Sequence, residues 1–227
     1  MHSSDNALWQ QCWRDKNTGF HQSEINAQMQ RFWPSLGLAP GSRVFVPLCG
    51  KSRDLTWLAG QGHEVLGVEL SPIAVRAYFR ERRMQVVRHP AGALTAWRSG
   101  PLTLFCGDFF AMTAEQLGPI AAVYDRAALT ALPEAVRVAY VAHLHRLIPE
   151  TCPIFLLTAE DRELGEAHLP AVAADEVLSL YAHRFHVELV HVAPGLAQDP
   201  EAPAAALQAV EHKFYRLLPR RDVQGCV

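Results

Sequence analysis

Gly50 and Glu69 close two consecutive apolar runs, VFVPLCG and EVLGVE, about 20 residues apart, and at that spacing the two residue types can do joint work. A glycine just after a strand lets the backbone approach a ligand closely. An acid that closes the next strand suits bidentate hydrogen bonding to ribose hydroxyls. Singly, each also reads as an ordinary turn glycine or a solvated strand-end acid; together, within a strand, turn, helix and strand, they point to an adenosine moiety. The turn PLCGKS places Pro47 and Leu48 where a pyrophosphate binder needs open amides. A phosphate loop is excluded too, since its first glycine would fall at Phe45. A donor without phosphate fits better, and S-adenosyl-L-methionine, whose cationic sulfonium favours carboxylates, carbonyls and aromatic faces, is the expected ligand. A nucleotide-dependent oxidoreductase is the alternative raised by the same arrangement.

Two further strand ends carry polar groups. CGDFF sets Asp108 at a carboxyl edge, where it can accept from an adenine amino group while Phe109 packs on the ring; equally, Asp108 can cap the next helix above a core phenylalanine. YDRAAL sets Asp125 and Arg126 at the same edge, and an arginine there can pair with a carboxylate or an anionic acceptor. Trp9 and Trp13, four residues apart, read on spacing alone as the buried aromatic stripe of a helix. His143 and His145 face different directions on one helix, and His183, His186, His191 and His212 follow no recognised ligand spacing, so no metal is expected.

The elements that must position these residues alternate strand and helix from Arg43 onward, the pattern of a parallel sheet with crossover helices. Strands are expected at Arg43 to Val46, Glu64 to Val68, Leu102 to Phe105, Ala121 to Tyr124 and Ile154 to Leu157, several of them apolar enough to be buried on both faces. Ser71-Pro72 starts one helix and Pro133 another, whose Val136, Tyr140, Leu144 and Leu147 form a sheet-facing stripe ended by Pro149. Ala174 to Ala182 is a further helix. HVELVHV and HKFYRLL then read as an antiparallel pair, separated by GLAQDPEAPAAALQ as a loop or short helix. Residues 1–40, helical around Ile25 to Trp33, form an N-terminal lid rather than a domain. The fold class is therefore α/β: a doubly wound, Rossmann-like, mostly parallel seven-stranded sheet with an antiparallel C-terminal strand, in one domain over residues 1–227.

Composition agrees. With 49% hydrophobic and 19% charged residues the chain is a packed globular protein. A net charge of -2 gives no basic field for nucleic acid, and the partner is expected to be a small molecule. Five scattered cysteines without a CxxC pair argue against disulfides and zinc, and no stretch is long and apolar enough for a membrane span. A cytoplasmic, reducing location and a monomeric state are expected.

The chain resembles the bacterial thiopurine S-methyltransferases. The resemblance is carried by W-x-x-x-W (Trp9, Trp13), GFH (Gly19 to His21), VPLCGKS-x-D (Val46 to Asp54), GVELS (Gly67 to Ser71), GDFF (Gly107 to Phe110) and YDRAALTALP (Tyr124 to Pro133), in the family's order over roughly the first two thirds. It implies a methyltransferase using S-adenosyl-L-methionine. Trp9, Trp13 and Phe20 would lie over the donor, Leu48 and Gly50 at its methionine part, Glu69 at its ribose, and Asp108 and Phe109 at its adenine. Arg126 would sit near the reacting centre, beside the donor's carboxylate or the acceptor's negative charge. His21 reads either as a group that takes a proton from a less acidic acceptor or, more simply, as a helix-entry histidine bonded to backbone. The acceptor is expected to be a small thiol or thiopurine-like heteroaromatic, with selenium, tellurium or heteroaromatic nitrogen species as alternatives and a noncatalytic donor-binding module as another. Where the family carries an acidic, tyrosine-containing turn and GPPF, this chain has LLTAEDRELGEAHLPAV, with Glu160 or Asp161 in place of the acid. The Ala-rich stretch before EHKFYRLLP departs as well.

Overall fold

A computed structural model describes residues 3–18, 21–161, 172–198 and 207–220. Helix α1 (Ser3–Asp15) and helix α2 (Ala27–Phe32) precede the first strand, and α2 continues into a 3-10 turn at Trp33–Leu36. The sheet then alternates with helices: β1 (Arg43–Val46), α3 (Asp54–Gly60), β2 (Glu64–Glu69) and α4 (Pro72–Glu81). A hairpin follows, β3 (Val87–Ala91) and β4 (Leu94–Ser99), then β5 (Leu102–Cys106), α5 (Ala114–Leu117), β6 (Ala122–Arg126) and α6 (Glu134–Leu147). The described chain closes with β7 (Ile154–Asp161), α7 (Ala174–Tyr181), β8 (Phe185–Gln198) and β9 (Leu207–Pro219).

These strands form one sheet in the order β3-β4-β5-β2-β1-β6-β7-β9-β8. The five strands from β5 through β2, β1 and β6 to β7 are parallel, and antiparallel pairs finish both edges. The α/β class and antiparallel C-terminal pair match the expectation, but among the described residues there are nine strands, not seven. The two additional ones are β3 and β4. β3, VRHPA, is exposed along nearly its whole length and contains Pro90, which an edge strand tolerates and a buried strand does not. It therefore lacks the apolar signal that marks the central strands. The Ala/Pro-rich stretch also differs from the loop expected: residues 195–198 and 207–208 extend β8 and β9.

Alternation along the strands divides the core in two, because successive side chains leave a strand on opposite faces. Phe45, Val123, Ile154 and Leu156 pack on one face with Val136, Tyr140 and Leu144 of α6 and Val177 of α7. Val44, Val46, Ala122, Tyr124 and Phe155 pack on the other with Met29, Trp33, Leu55, Leu58, Val75 and Tyr78. The sheet is thus covered on both sides, which is why its central strands carry so few polar residues. Ser71 caps α4, its hydroxyl accepting from the Ala74 amide at 3.5 Å, with Pro72 at the first helical position.

Strand order reverses at β1: the chain proceeds outward through β2 on one side and later through β6 on the other. Crevices form at the carboxyl ends of strands flanking such a reversal. Glu69, Asp108 and Arg126 sit at that edge. None of the described helices is long and apolar enough to cross a membrane.

Candidate active site

The loop after β1 is shaped by two residues with positive φ, Leu48 at 46° and Gly50 at 54°. For glycine this conformation is free of the Cβ penalty, whereas a leucine held there stores of order 1 kcal/mol. The Cys49 amide donates to the Val68 carbonyl at 2.9 Å, carrying the β1–β2 ladder into the turn. A third such residue, Ala127 at 61°, follows β6 and lines the same cleft. Alanine gives no sequence signal for this geometry.

Glu69, 7% exposed, ends β2 beside that loop. One carboxylate oxygen accepts from the Gly50 amide at 2.9 Å and the other from the Ser71 amide at 2.7 Å. Burial pushes its carboxyl up to about 7, opposed by the amides of Ser71, Gly50 and Leu70 that favour the ionised form. Each oxygen keeps a further acceptor site, so a diol can donate to a carboxylate whose orientation is already fixed. Phosphate would meet a buried anion here, while a phosphate-free nucleoside would meet acceptors.

Helix α1 covers the cleft. A side chain added at position 50 would meet the Trp13 ring at 3.5 Å, and Trp9 and Trp13 both line the cavity. Asn6 of the same helix donates to Asp108 at 3.3 Å. Asp108 therefore does the capping work considered from sequence, accepting from the Phe110 amide at 3.0 Å, and also faces the cleft. Phe109 likewise combines its two readings: it lines the cleft and is buried against Tyr140 and His143, with ring centroids 4.9 Å from each.

His21 lines the cavity with its ring 6.5 Å from that of Trp13. Burial lowers its pKa to about 4, assisted by Lys51 and Arg126, so the imidazole is neutral at physiological pH and weak as a base. Arg126, at the end of β6, lies close to Asp54, with Nη1 at 3.1 Å from the carboxylate. The guanidinium also donates to Gln22 at 2.8 Å and to Ser52 at 3.0 Å.

Trp9, Trp13, His21, Leu48, Gly50, Glu69, Asp108, Phe109 and Arg126 thus line one cleft. Phe20 lies outside the described residues. Sequence reasoning missed Ser52, Gln22 and Asp54 as partners of Arg126. Asp54 sits in the first turn of α3, where an acid is usual for its dipole, and nothing in the sequence distinguishes its complete burial. Toward β7 and β9, Lys213 pairs with Glu160, and His212 lies near enough to Arg126 for its pKa to be lowered by burial and by that charge.

The family model for thiopurine S-methyltransferase matches residues 4–221. Among curated relatives, a thiopurine S-methyltransferase of Stutzerimonas stutzeri is 48% identical over 222 residues, covering 97% of this chain and 94% of the relative. One from Pseudomonas putida is 44% identical, covering 93% and 98%, and one from Methylococcus capsulatus is 40% identical, covering 94% and 97%. Of solved structures, one described for conversion of a disulfide bond into a thioacetal during echinomycin biosynthesis aligns with TM-score 0.65 at 17% identity, over 96% of this chain and 94% of that one. An S-adenosylmethionine-dependent methyltransferase from Anabaena variabilis aligns with TM-score 0.61 at 14% identity, over 95% of each chain, a likeness of fold. The sequence match runs well past YDRAALTALP and through the closing hairpin, so the departures in residues 160–172 and before β9 are variation within one family. The chain belongs to the thiopurine S-methyltransferase family.

Proposed function

We propose that this cleft binds S-adenosyl-L-methionine with its ribose on Glu69, and that the chain transfers the donor's methyl group to the sulfur of a small thiol, thiopurine-like heteroaromatic thiols being the favoured class. The observation that carries the reading is the buried Glu69 carboxylate, held by the Gly50 and Ser71 amides where the strand order reverses. When bound, the donor supplies an electrophilic methyl group whose sulfonium sulfur leaves as a neutral thioether.

The chain's own residues have simpler tasks. Trp9 and Trp13 present aromatic faces that stabilise a cation and exclude water. Leu48 and Gly50 let the backbone meet the methionine part, while Asp108 and Phe109 flank adenine. Arg126 favours a thiolate electrostatically on the acceptor side, which lowers the thiol's pKa before attack. His21, held neutral, contributes shape and hydrogen bonding more than base catalysis. An acceptor that is ionised near neutral pH needs no stronger base, which favours heteroaromatic thiols over nitrogen nucleophiles. We read residues 1–227 as one catalytic domain acting as a cytoplasmic monomer, without nucleic acid.

The test is methyl transfer from labelled donor to a panel comprising a thiopurine, an aliphatic thiol, a selenol and a heteroaromatic amine, with S-adenosylhomocysteine formation as readout. Turnover of the thiopurine above the amine is expected. Donor binding with turnover of none of the four would leave a binding module and overturn the reading.

A further inference from the structure

Asp54 has no side-chain exposure, and it is absent from the cleft lining, yet its carboxylate gathers three groups. One oxygen accepts from the Asn26 amide at 2.9 Å; the other accepts from the Tyr124 hydroxyl at 2.9 Å and faces Arg126 at 3.1 Å. Ser52 closes the ring, its hydroxyl accepting from Arg126 at 3.0 Å and from the Asp54 amide at 3.1 Å. The guanidinium is left with 13% side-chain exposure, at the cleft. Asn26 in turn caps α2, accepting from the Met29 amide at 2.9 Å, and Gln22 accepts from Arg126 at 2.8 Å. The chain entering α2 is therefore fastened to the same ion pair that aims Arg126.

Resting on the donor and acceptor placement proposed above, we infer that Asp54 is a positioning residue for methyl transfer: it fixes the plane of Arg126 toward the acceptor and seats residues 22–26 against the cleft in one arrangement. A buried ion pair adds little net stability over an apolar pair of equal volume, so stability alone is a weak reason for burying one here. One end of this pair opens on the cleft, and a guanidinium is directional: its forked donors favour an anion only in the correct plane. Its placement must therefore be held, and the Asp54 and Ser52 oxygens hold it. Asp54→Asn keeps the shape but removes the charge, and its NH2 must face a donor on one side or the other, either the Asn26 amide or the Tyr124 hydroxyl and Arg126.

The experiment combines steady-state methylation of 6-mercaptopurine, calorimetry with S-adenosylhomocysteine, and amide hydrogen exchange in wild type, Asp54→Asn, Arg126→Ala and the double variant. Asp54→Asn is expected to lower kcat/KM for the thiopurine by about 30-fold, as displacement of a positioned group does, with the Kd for S-adenosylhomocysteine within about threefold. In the Arg126→Ala background it should add less than about twofold, since the two act as a unit. Equal losses of donor affinity and acceptor turnover, or multiplying effects of the two substitutions, would overturn the inference. If Asp54→Asn fails to fold, Ser52→Ala takes its place in the same cycle, with about a fivefold loss expected and the same non-additivity. If wild type binds S-adenosylhomocysteine but leaves the thiopurine unmethylated, the acceptor assignment above fails, and exchange decides the positioning role. Faster exchange of residues 22–30 in both single variants supports it, and unchanged exchange in either contradicts it.

Discussion

Glu69 and Arg126 stand at the ends of two strands that flank β1, yet they are held in different ways. Glu69 is oriented by backbone amides 19 residues and 2 residues away, inside one strand, turn, helix and strand unit. Arg126 is oriented by side chains 74 and 104 residues away, one of them in the segment that precedes the sheet. On the proposed reading the donor side is held by local backbone. The proposed acceptor side is assembled from distant parts of the chain. Solved structures that align at 14–17% identity share the fold.

The sharpest way to break this contrast is Glu69→Ala. It removes a charged acceptor from two ribose hydroxyls, each bond worth about 1.5–3 kcal/mol, so affinity for S-adenosylhomocysteine measured by calorimetry should fall about 100-fold or more. Survival of binding would mean that the local unit is not the donor's anchor.

Next in size is the pH response of the same affinity. Glu69 sits at about 7, above the ordinary carboxylate value of 4.5, and hydroxyl donors prefer its ionised form. Binding should be constant above pH 8 and weaken toward tenfold per unit below about pH 6. His21, at about 4, does not titrate in that window. A flat profile from pH 8 to 5.5, or an identical slope in Glu69→Gln, would remove the assignment. The linked effect on folding has the opposite sense. The folded state holds this proton more tightly than the unfolded chain, so the carboxyl's contribution to stability declines as pH rises from 4.5 to about 7 and is level beyond.

Gly50→Ala tests the backbone half of the same claim. At φ 54° an L side chain costs about 1–2 kcal/mol, and it would also touch Trp13, so donor affinity should drop about tenfold, with a lower midpoint of thermal unfolding. The smallest effect is expected at Asp108→Ala. Loss of the cap on Phe110 and of the Asn6 contact should weaken donor binding about three- to fivefold, and the loss should be smaller for the inosine analogue, which has no adenine amino group. An equal loss for both analogues would assign Asp108 to capping alone.

This division also explains what the sequence revealed. Central strands such as RVFV and LTLFC announce themselves because both faces are buried, and Gly50 and Glu69 could be paired because the unit that joins them is short and regular. β3 escaped because an exposed edge strand with a proline has neither alternation nor an apolar run. Asp54 escaped for another reason. Its local setting, the first turn of a helix, already accounts for an acid, and only the folded chain brings Asn26, Tyr124 and Arg126 around it. Leu48 and Ala127 were unreadable as strained turns because neither residue type is one that favours positive φ.

Diffraction from crystals grown with S-adenosylhomocysteine tests the donor side most directly. Ribose hydroxyls within hydrogen-bonding distance of Glu69, adenine beside Asp108 and the sulfur beneath Trp9 and Trp13 are the expected result. A nucleoside bound elsewhere, or a saturated crystal with Glu69 touching only the Gly50 and Ser71 amides, would contradict it.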